Sequence, residues 1–237
     1  MGHPLPSNEQ KRLAALRLYH VLDTAPEEAF DDIALVAAEV AGVPTAIVSL
    51  IDERRQWYKA KIGAEVNEVP REQTFCTHTI LGTEVMVVED ATADPRFAAN
   101  PHVTKAQGVR FYAGAPILDD EGNALGSVCV VDSRPRQLGA PKQEVLMALA
   151  RTTMVLLEQR RLSHLLAEAL TEVKTVQGLL PICASCKSIR TSDDYWERIE
   201  EYFSTRTDAL FSHGMCPVCM QRQYPEIYAS LKAQGKI

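Results

Sequence analysis

The chain has 237 residues, 46% hydrophobic and 24% charged, with a formal net charge of −6 at pH 7 and a pI near 5.6. That balance supports a buried core and excludes a disordered or fibrous chain. The acidic charge argues against nucleic acid as a partner, because polyanion binding rests on a Lys/Arg footprint. No apolar run approaches the roughly 18 residues of a membrane span, and MGHPLPSNEQKR lacks the apolar core of a signal peptide, so a cytoplasmic protein with no membrane partner is expected.

Residues 1–24 read as an N-terminal helix, with Leu13, Ala15, Leu16 and Tyr19 at helical spacing and Ser7 or Asn8 as N-cap. Residues 25–140 read as one domain. Its first helix carries Phe30, Ile33, Val36, Ala37 and Val40 and closes at Gly42 and Pro44. Thr45–Ile51 and Gln56–Ile62 form a hairpin around the polar turn DERR, and further strands are expected at Val85–Glu89, Phe111–Leu118 and Ala124–Asp132, the last two joined by DDEGN. Helices followed by hairpins imply an α+β fold, an antiparallel sheet with helices packed on it.

Residues 141–180 lack turn residues apart from Gly178 and read as one long connecting helix. A heptad places Val145, Thr152, Gln159, Leu166, Val173 and Leu180 at one seam position and Ala148, Val155, Leu162, Ala169 and Val176 at the other. The first half, with Leu146, Leu149, Leu156 and Leu157, is expected to pack on the sheet. Leu162 onward is expected to form a parallel two-stranded coiled coil, and so a homodimer.

Residues 181–237 carry two C-x2-C pairs, Cys183 with Cys186 and Cys216 with Cys219, separated by 29 residues. Two such knuckles can complete the tetrahedron of a structural zinc, and four thiolates leave no open position for a reacting water. His213 is an alternative ligand or a support for the others. Tyr195–Phe203 reads as an amphipathic helix presenting Trp196, Ile199 and Phe203, and Met220–Leu231 as a helix distorted at Pro225, a treble-clef-like arrangement. From residue 179 to the end, seven Lys/Arg balance seven Asp/Glu, which favours a protein partner over nucleic acid.

Cys76 and His78, two apart in REQTFCTHTI, need not face each other, so no nucleophilic pair is implied. Cys129 within SVCVV reads as core. DPRF at Asp94–Phe97 reads equally as a loop anchor or as part of a site at the sheet mouth. No P-loop, H-E-x-x-H, G-x-S-x-G or kinase-type loop occurs, so the expectation is not an enzyme.

The runs FCTHTI, VVEDATADPRFAANPHV and VRFYAGAPILDDEGNALGSVCVVDSRPR, in that order, resemble GAF domains that precede histidine kinases and cyclic-dinucleotide enzymes, over about Asn8 to Arg161. The resemblance implies a sheet of five or six strands with helices on both faces and a small-molecule pocket on one face. On the matching motif positions it implies Trp57, Phe75, Cys76, Phe97, Phe111 and Tyr112 as pocket residues for an unknown ligand. Bilin-binding members carry an adjacent Cys–His pair, whereas Thr77 here separates Cys76 from His78, which argues against an attached chromophore. LPICASCKSIRTSDDYWERIEEYF followed by FSHGMCPVC is similar to a cysteine-rich module that ends some bacterial sensor proteins. The expected function is a signalling sensor or scaffold that relays the pocket's state through the helix to a module contacting a signalling partner. The alternative is a GAF-fold thiol-dependent reductase of methionine sulfoxide type using Cys76 and Cys129, which their placement in different elements counts against.

Overall fold

The computed structural model describes residues 4–174, 180–191, 195–207 and 209–235. It divides into two compact units, Met1–Thr171 and Glu172–Ile237.

The first unit opens with α1 (Glu9–Leu18) and α2 (Glu28–Ala41). Gly42 ends α2 in the left-handed conformation, φ +73°, its N–H returning to Ala38 O, the geometry that favours glycine at a helix C-terminus. Next come β1 (Thr45–Ile51), β2 (Arg55–Ile62), the short β3 (Glu68–Pro70), the helical turn α3 (Cys76–Thr79), β4 (Met86–Val88), the short α4 (Pro101–Thr104), β5 (Phe111–Leu118), β6 (Ala124–Asp132) and the 35-residue α5 (Ala140–Lys174). The strands form one antiparallel sheet in the order β3-β2-β1-β6-β5-β4. The expected α+β antiparallel sheet with helices is present.

Strand alternation divides the buried residues into two cores. On one face Ala46, Val48, Leu50, Ala113, Ile117, Val128 and Val130 meet Leu16, Phe30, Ala34, Leu146, Ala150 and Leu157 from α1, α2 and α5. On the other, Ile47, Ile51, Tyr112 and Cys129 meet Phe75, Cys76, Ile80, Phe97 and Val103 from the connections around α3 and α4. A bulge breaks the alternation in β2. Val48 pairs with Ala60 and Ser49 with Tyr58, leaving Lys59 as the extra residue. Its ammonium turns to the start of α2 and donates to Glu27 Oε1 at 2.6 Å, a carboxylate that Arg160 of α5 also grips.

The anchor of α1 is polar. Glu9 bridges the guanidiniums of Arg12 and Arg71, both fully buried, and these donate to the carbonyls of Ile51 and Asp52 at the β1–β2 turn. In α2, Phe30, Ile33, Ala34, Ala37 and Ala38 are buried, while Val36 is exposed.

Along α5 the buried stripe is Leu146, Ala150, Thr153 and Leu157, an i, i+4, i+7, i+11 pattern. Val155, Leu162 and Leu166 of the heptad seam stay 53–65% exposed in the single chain. Val176, Gly178 and the rest of residues 175–179 lie outside the described residues. No helix among the described residues is long and apolar enough to cross a membrane.

In the second unit, β7 (Ile189–Arg190) pairs with β8 (Trp196–Glu197), followed by α6 (Ile199–Ser204), α7 (Pro217–Gln223) and α8 (Pro225–Ala233). The helix expected over Tyr195–Phe203 is thus replaced by a strand and a shorter helix. Its pairing with Ile189 and Arg190 takes Trp196 and Glu197 into the ladder, and Tyr202, rather than Trp196 or Ile199, is the buried residue. The single helix over Met220–Leu231 is two helices, broken at Tyr224 before Pro225, as proline disfavours helical backbone in the residue preceding it.

Candidate functional site

Cys76 begins α3 and is buried against the sheet. Its sulfur receives the side-chain amide of Gln56 at 3.0 Å, the Tyr112 hydroxyl at 3.3 Å and the Ser49 hydroxyl at 3.9 Å, and it lies 3.6 Å from Cys129 Sγ. These four groups come from β2, β5, β1 and β6. Pairing across the sheet explains why they share a face: Cys129 stands opposite Ile47 and Gly114, Ser49 opposite Ser127 and Tyr58, and direct antiparallel partners project to the same side. The Tyr112 phenol lies over Gly114 and bonds Thr79 Oγ1 at 2.6 Å.

Burial alone would raise the Cys76 thiol, but hydrogen bonds from Cys129, Ser127, Tyr112 and Ser49 outweigh it and hold the thiol below the ordinary cysteine range. Cys129 moves the opposite way, raised by the bond it shares with Cys76 and by burial. Burial, then the charge of a Cys76 thiolate, pushes Tyr112 well up as well. The arrangement therefore favours one thiolate, on Cys76, with Cys129 and Tyr112 as its proton-bearing neighbours.

Both sulfurs line a cavity of about 300 Å³, in the range that small-molecule sites occupy. Gln56, Gln73, Phe75, His102 and Tyr112 are among its other walls. Burial and the nearby Lys105 lower His102, favouring the neutral imidazole, and its Nε2 is buried without a hydrogen-bond partner. The end of β6 and the following residue, Val131, Asp132 and Ser133, close the cavity on the side leading to α5. Asp132 grips the connection by accepting from Arg134 N at 3.0 Å and from the Arg136 guanidinium.

Of the six aromatic and sulfur positions expected here, Phe75, Cys76 and Tyr112 line the cavity. Phe97 stacks behind Phe75 with ring centroids 4.1 Å apart. Trp57 and Phe111 are placed in the helix-side core, because each is the strand neighbour of a cavity residue and successive side chains point to opposite faces. Asp94–Phe97 is a loop anchor: the Asp94 carboxylate holds Arg96 at 2.6 Å, and Phe97 is buried. Gln56, Ser49, Gly114 and His102 were not singled out by sequence. For Ser49 and Gln56 the available signal was a polar residue inside an otherwise buried strand stretch. The inference that separate elements keep Cys76 from Cys129 is overturned by the 3.6 Å contact.

In the second unit the first knuckle is a tight turn. Cys183 N–H donates to Ser188 O at 2.8 Å, Lys187 N–H to Cys183 O at 3.0 Å, and Lys187 adopts φ +65°. Cys186 is drawn down to about 7 by hydrogen bonds from Ser188 and Cys183. At the second knuckle Cys216 caps α7, its sulfur accepting Cys219 N–H at 3.5 Å. Each pair is thus locally assembled, and four thiols match the donor chemistry of structural zinc. Among the described residues, however, no group of three or more His, Cys, Asp or Glu is gathered into one metal-binding cluster.

A GAF domain model matches residues 25–157. The chain belongs to the GAF domain family. A cyclic di-GMP phosphodiesterase of Pseudomonas aeruginosa is 42% identical over 133 residues, covering 56% of this chain and 23% of that protein, so the chain spans about a quarter of that relative's length. Among solved structures, the GAF domain of an Acinetobacter phosphoenolpyruvate-protein phosphotransferase is 15% identical, covering 65% of this chain and 95% of its own, with a TM-score of 0.48. A free methionine-R-sulfoxide reductase of Neisseria meningitidis, solved with its substrate, is 19% identical, covering 68% and 99%, also with a TM-score of 0.48.

Proposed function

We propose that this chain is a non-enzymatic GAF sensor whose pocket state is relayed through α5 to the cysteine-rich module. The observation that carries the reading is the shared wall: Cys129, Val131, Asp132 and Ser133 line the cavity, and only Ser133–Gly139 separates β6 from α5. A ligand that shifts the end of β6 would therefore move the start of the helix, with Asp132 transmitting the shift through Arg134 and Arg136. His102 Nε2 and the Gln56 amide are the polar groups we assign to ligand recognition, alongside the Phe75 and Tyr112 rings. The exposed seam of Val155, Leu162 and Leu166 supports a second copy of this chain as the partner of α5, in a parallel homodimer. Cys183, Cys186, Cys216 and Cys219 would hold a zinc ion that cross-links the two knuckles and stabilises the module, which presents a surface to a signalling protein.

Native mass spectrometry of the purified 237-residue chain identifies any retained small molecule. Hydrogen exchange with and without that molecule then tests the relay. Protection changes running from the cavity through Ser133 into α5 are expected, and changes confined to the cavity would overturn the reading. The second reading, a methionine-sulfoxide-type reductase, is favoured by the Cys76–Cys129 contact. Steady turnover of free methionine sulfoxide with a dithiol reductant, abolished in Cys76→Ser, would establish it in place of the sensor.

A further inference from the structure

The sulfur pair on the pocket side of the sheet is more specific than a ligand wall needs. Packing would be satisfied by any two small apolar residues at positions 76 and 129. Instead the structure sets two thiols 3.6 Å apart, directs the Gln56, Tyr112 and Ser49 donors at only one of them, and opens a cavity of about 300 Å³ onto both. Those donors stabilise negative charge on Cys76 and distinguish it from Cys129, the asymmetry that a nucleophilic thiol and its resolving partner require.

We propose that Cys76 and Cys129 form a redox switch that a small hydroperoxide oxidises to an intramolecular disulfide. This rests on the sensor reading above and gives its pocket a chemical input. In the first step the Cys76 thiolate attacks the terminal oxygen of the hydroperoxide. An S–O bond forms, the O–O bond breaks, and the departing alkoxide or hydroxide takes a proton from solvent, leaving a sulfenic acid on Cys76. In the second step the Cys129 sulfur attacks the Cys76 sulfur. The S–S bond forms, the S–O bond breaks, and hydroxide leaves with the Cys129 proton as water. Two thiols and one hydroperoxide give a disulfide, one alcohol or water, and one water, with two electrons passing from sulfur to oxygen.

The fold determines which side moves. A disulfide needs the sulfurs at about 2.05 Å, so the present 3.6 Å contact must shorten by roughly 1.5 Å. Cys129 sits in the middle of β6, paired on both sides with β1 and β5, whereas Cys76 begins the four-residue α3. Closure is therefore taken up by α3, which must draw Cys76 toward Cys129 on β6 and so rearrange its hydrogen bonds with Gln56 and Tyr112. Oxidation and an occupied cavity thus compete for the same sulfur environment.

The test uses the whole 237-residue chain treated with hydrogen peroxide, alkylated under denaturing conditions and mapped by mass spectrometry. The expected product is a Cys76–Cys129 cross-linked peptide that has lost two hydrogens and is restored by dithiothreitol. Cys129→Ser should trap Cys76 as a dimedone-reactive sulfenic acid, with Cys129→Ala as the second variant should serine disturb the core. Tyr112→Phe should slow oxidation on the order of fivefold, the worth of one hydrogen bond, and move the pH midpoint of the oxidation rate upward. A merely structural tyrosine would leave that midpoint unchanged. Cys76 and Cys129 both remaining alkylatable, Cys76 advancing to the sulfinic acid with Cys129 untouched, or Cys76 pairing with a C-terminal cysteine would each overturn the proposal. Disulfide formation without altered hydrogen exchange in α5 would leave the switch standing and overturn the relay. An altered α5 on ligand binding with no disulfide would do the reverse.

Discussion

A Cβ placed on Gly114 would lie 2.1 Å from the hydroxyl oxygen of Tyr112, so the space left by one residue's missing side chain is occupied by the other's phenol. The two stand two apart on β5, on one face of the sheet, and the vacancy lets the hydroxyl reach Thr79 and the Cys76 sulfur. Gly114→Ala should displace the ring and destabilise the domain by about 1–3 kcal/mol, the usual cost of overpacking, read from denaturant midpoints. In a Tyr112→Phe background the same substitution should cost at least about 0.5 kcal/mol less, because part of the clash is gone. Equal costs in both backgrounds would show that the hydroxyl is not what the glycine accommodates.

Glu9 supplies a pH dependence. Burial raises its carboxyl, but hydrogen bonds from Arg12 and then Arg71 outweigh that and bring it down from 4.5 to about 2. A carboxyl depressed in the folded state adds stability that is fully present above its unfolded value and is lost as pH falls toward the folded one. The domain should therefore lose stability between about pH 4.5 and 2, and Glu9→Gln should flatten that part of the profile. At neutral pH the same variant should cost about 3 kcal/mol, because two buried guanidiniums lose their shared counter-charge. A wild-type profile that is level down to pH 3 would remove Glu9 from this role.

The C-terminal module should bind one zinc per chain. Elemental analysis is expected to give about one equivalent, falling in Cys183→Ser and Cys216→Ser, and a chelator should unfold this module while sparing the GAF domain. Less than half an equivalent in carefully purified protein would count against the four-cysteine site.

Light scattering tests the helix seam. The wild-type chain should be dimeric at tens of micromolar, and Leu162→Glu with Leu166→Glu should give a folded monomer, since both side chains are more than half exposed in the single chain and contribute nothing to its own core. A monomeric wild type would leave α5 without the proposed partner.

Local signals account for what could be read in advance. Phe111–Leu118 and Ala124–Asp132 are strands over the expected residues because an apolar run and the turn DDEGN specify their ends without distant help. Gly42 ends α2 through its own backbone freedom. Trp57 and Phe111 illustrate the limit. The family motif groups each with the pocket, yet each neighbours a cavity residue in the chain, and a strand cannot present successive side chains to one face. Lys59 shows the same limit for alternation itself, since only pairing with β1 reveals the bulge that turns it toward Glu27.

The strands, turns and helices of the GAF domain, the GAF likeness and the spacing of the two cysteine pairs were determined by the sequence itself, because propensity, periodicity and short spacing act over a few residues. The contact of Cys76 with Cys129, the three donors around one sulfur, and the wall shared by the cavity and the lead into α5 were decided only by tertiary structure. The two thiols are 53 residues apart, and nothing local to either distinguishes a packed cysteine from half of a pair. Strand register brings Cys129 to the cavity face, and α3 folding back onto that face completes the pair.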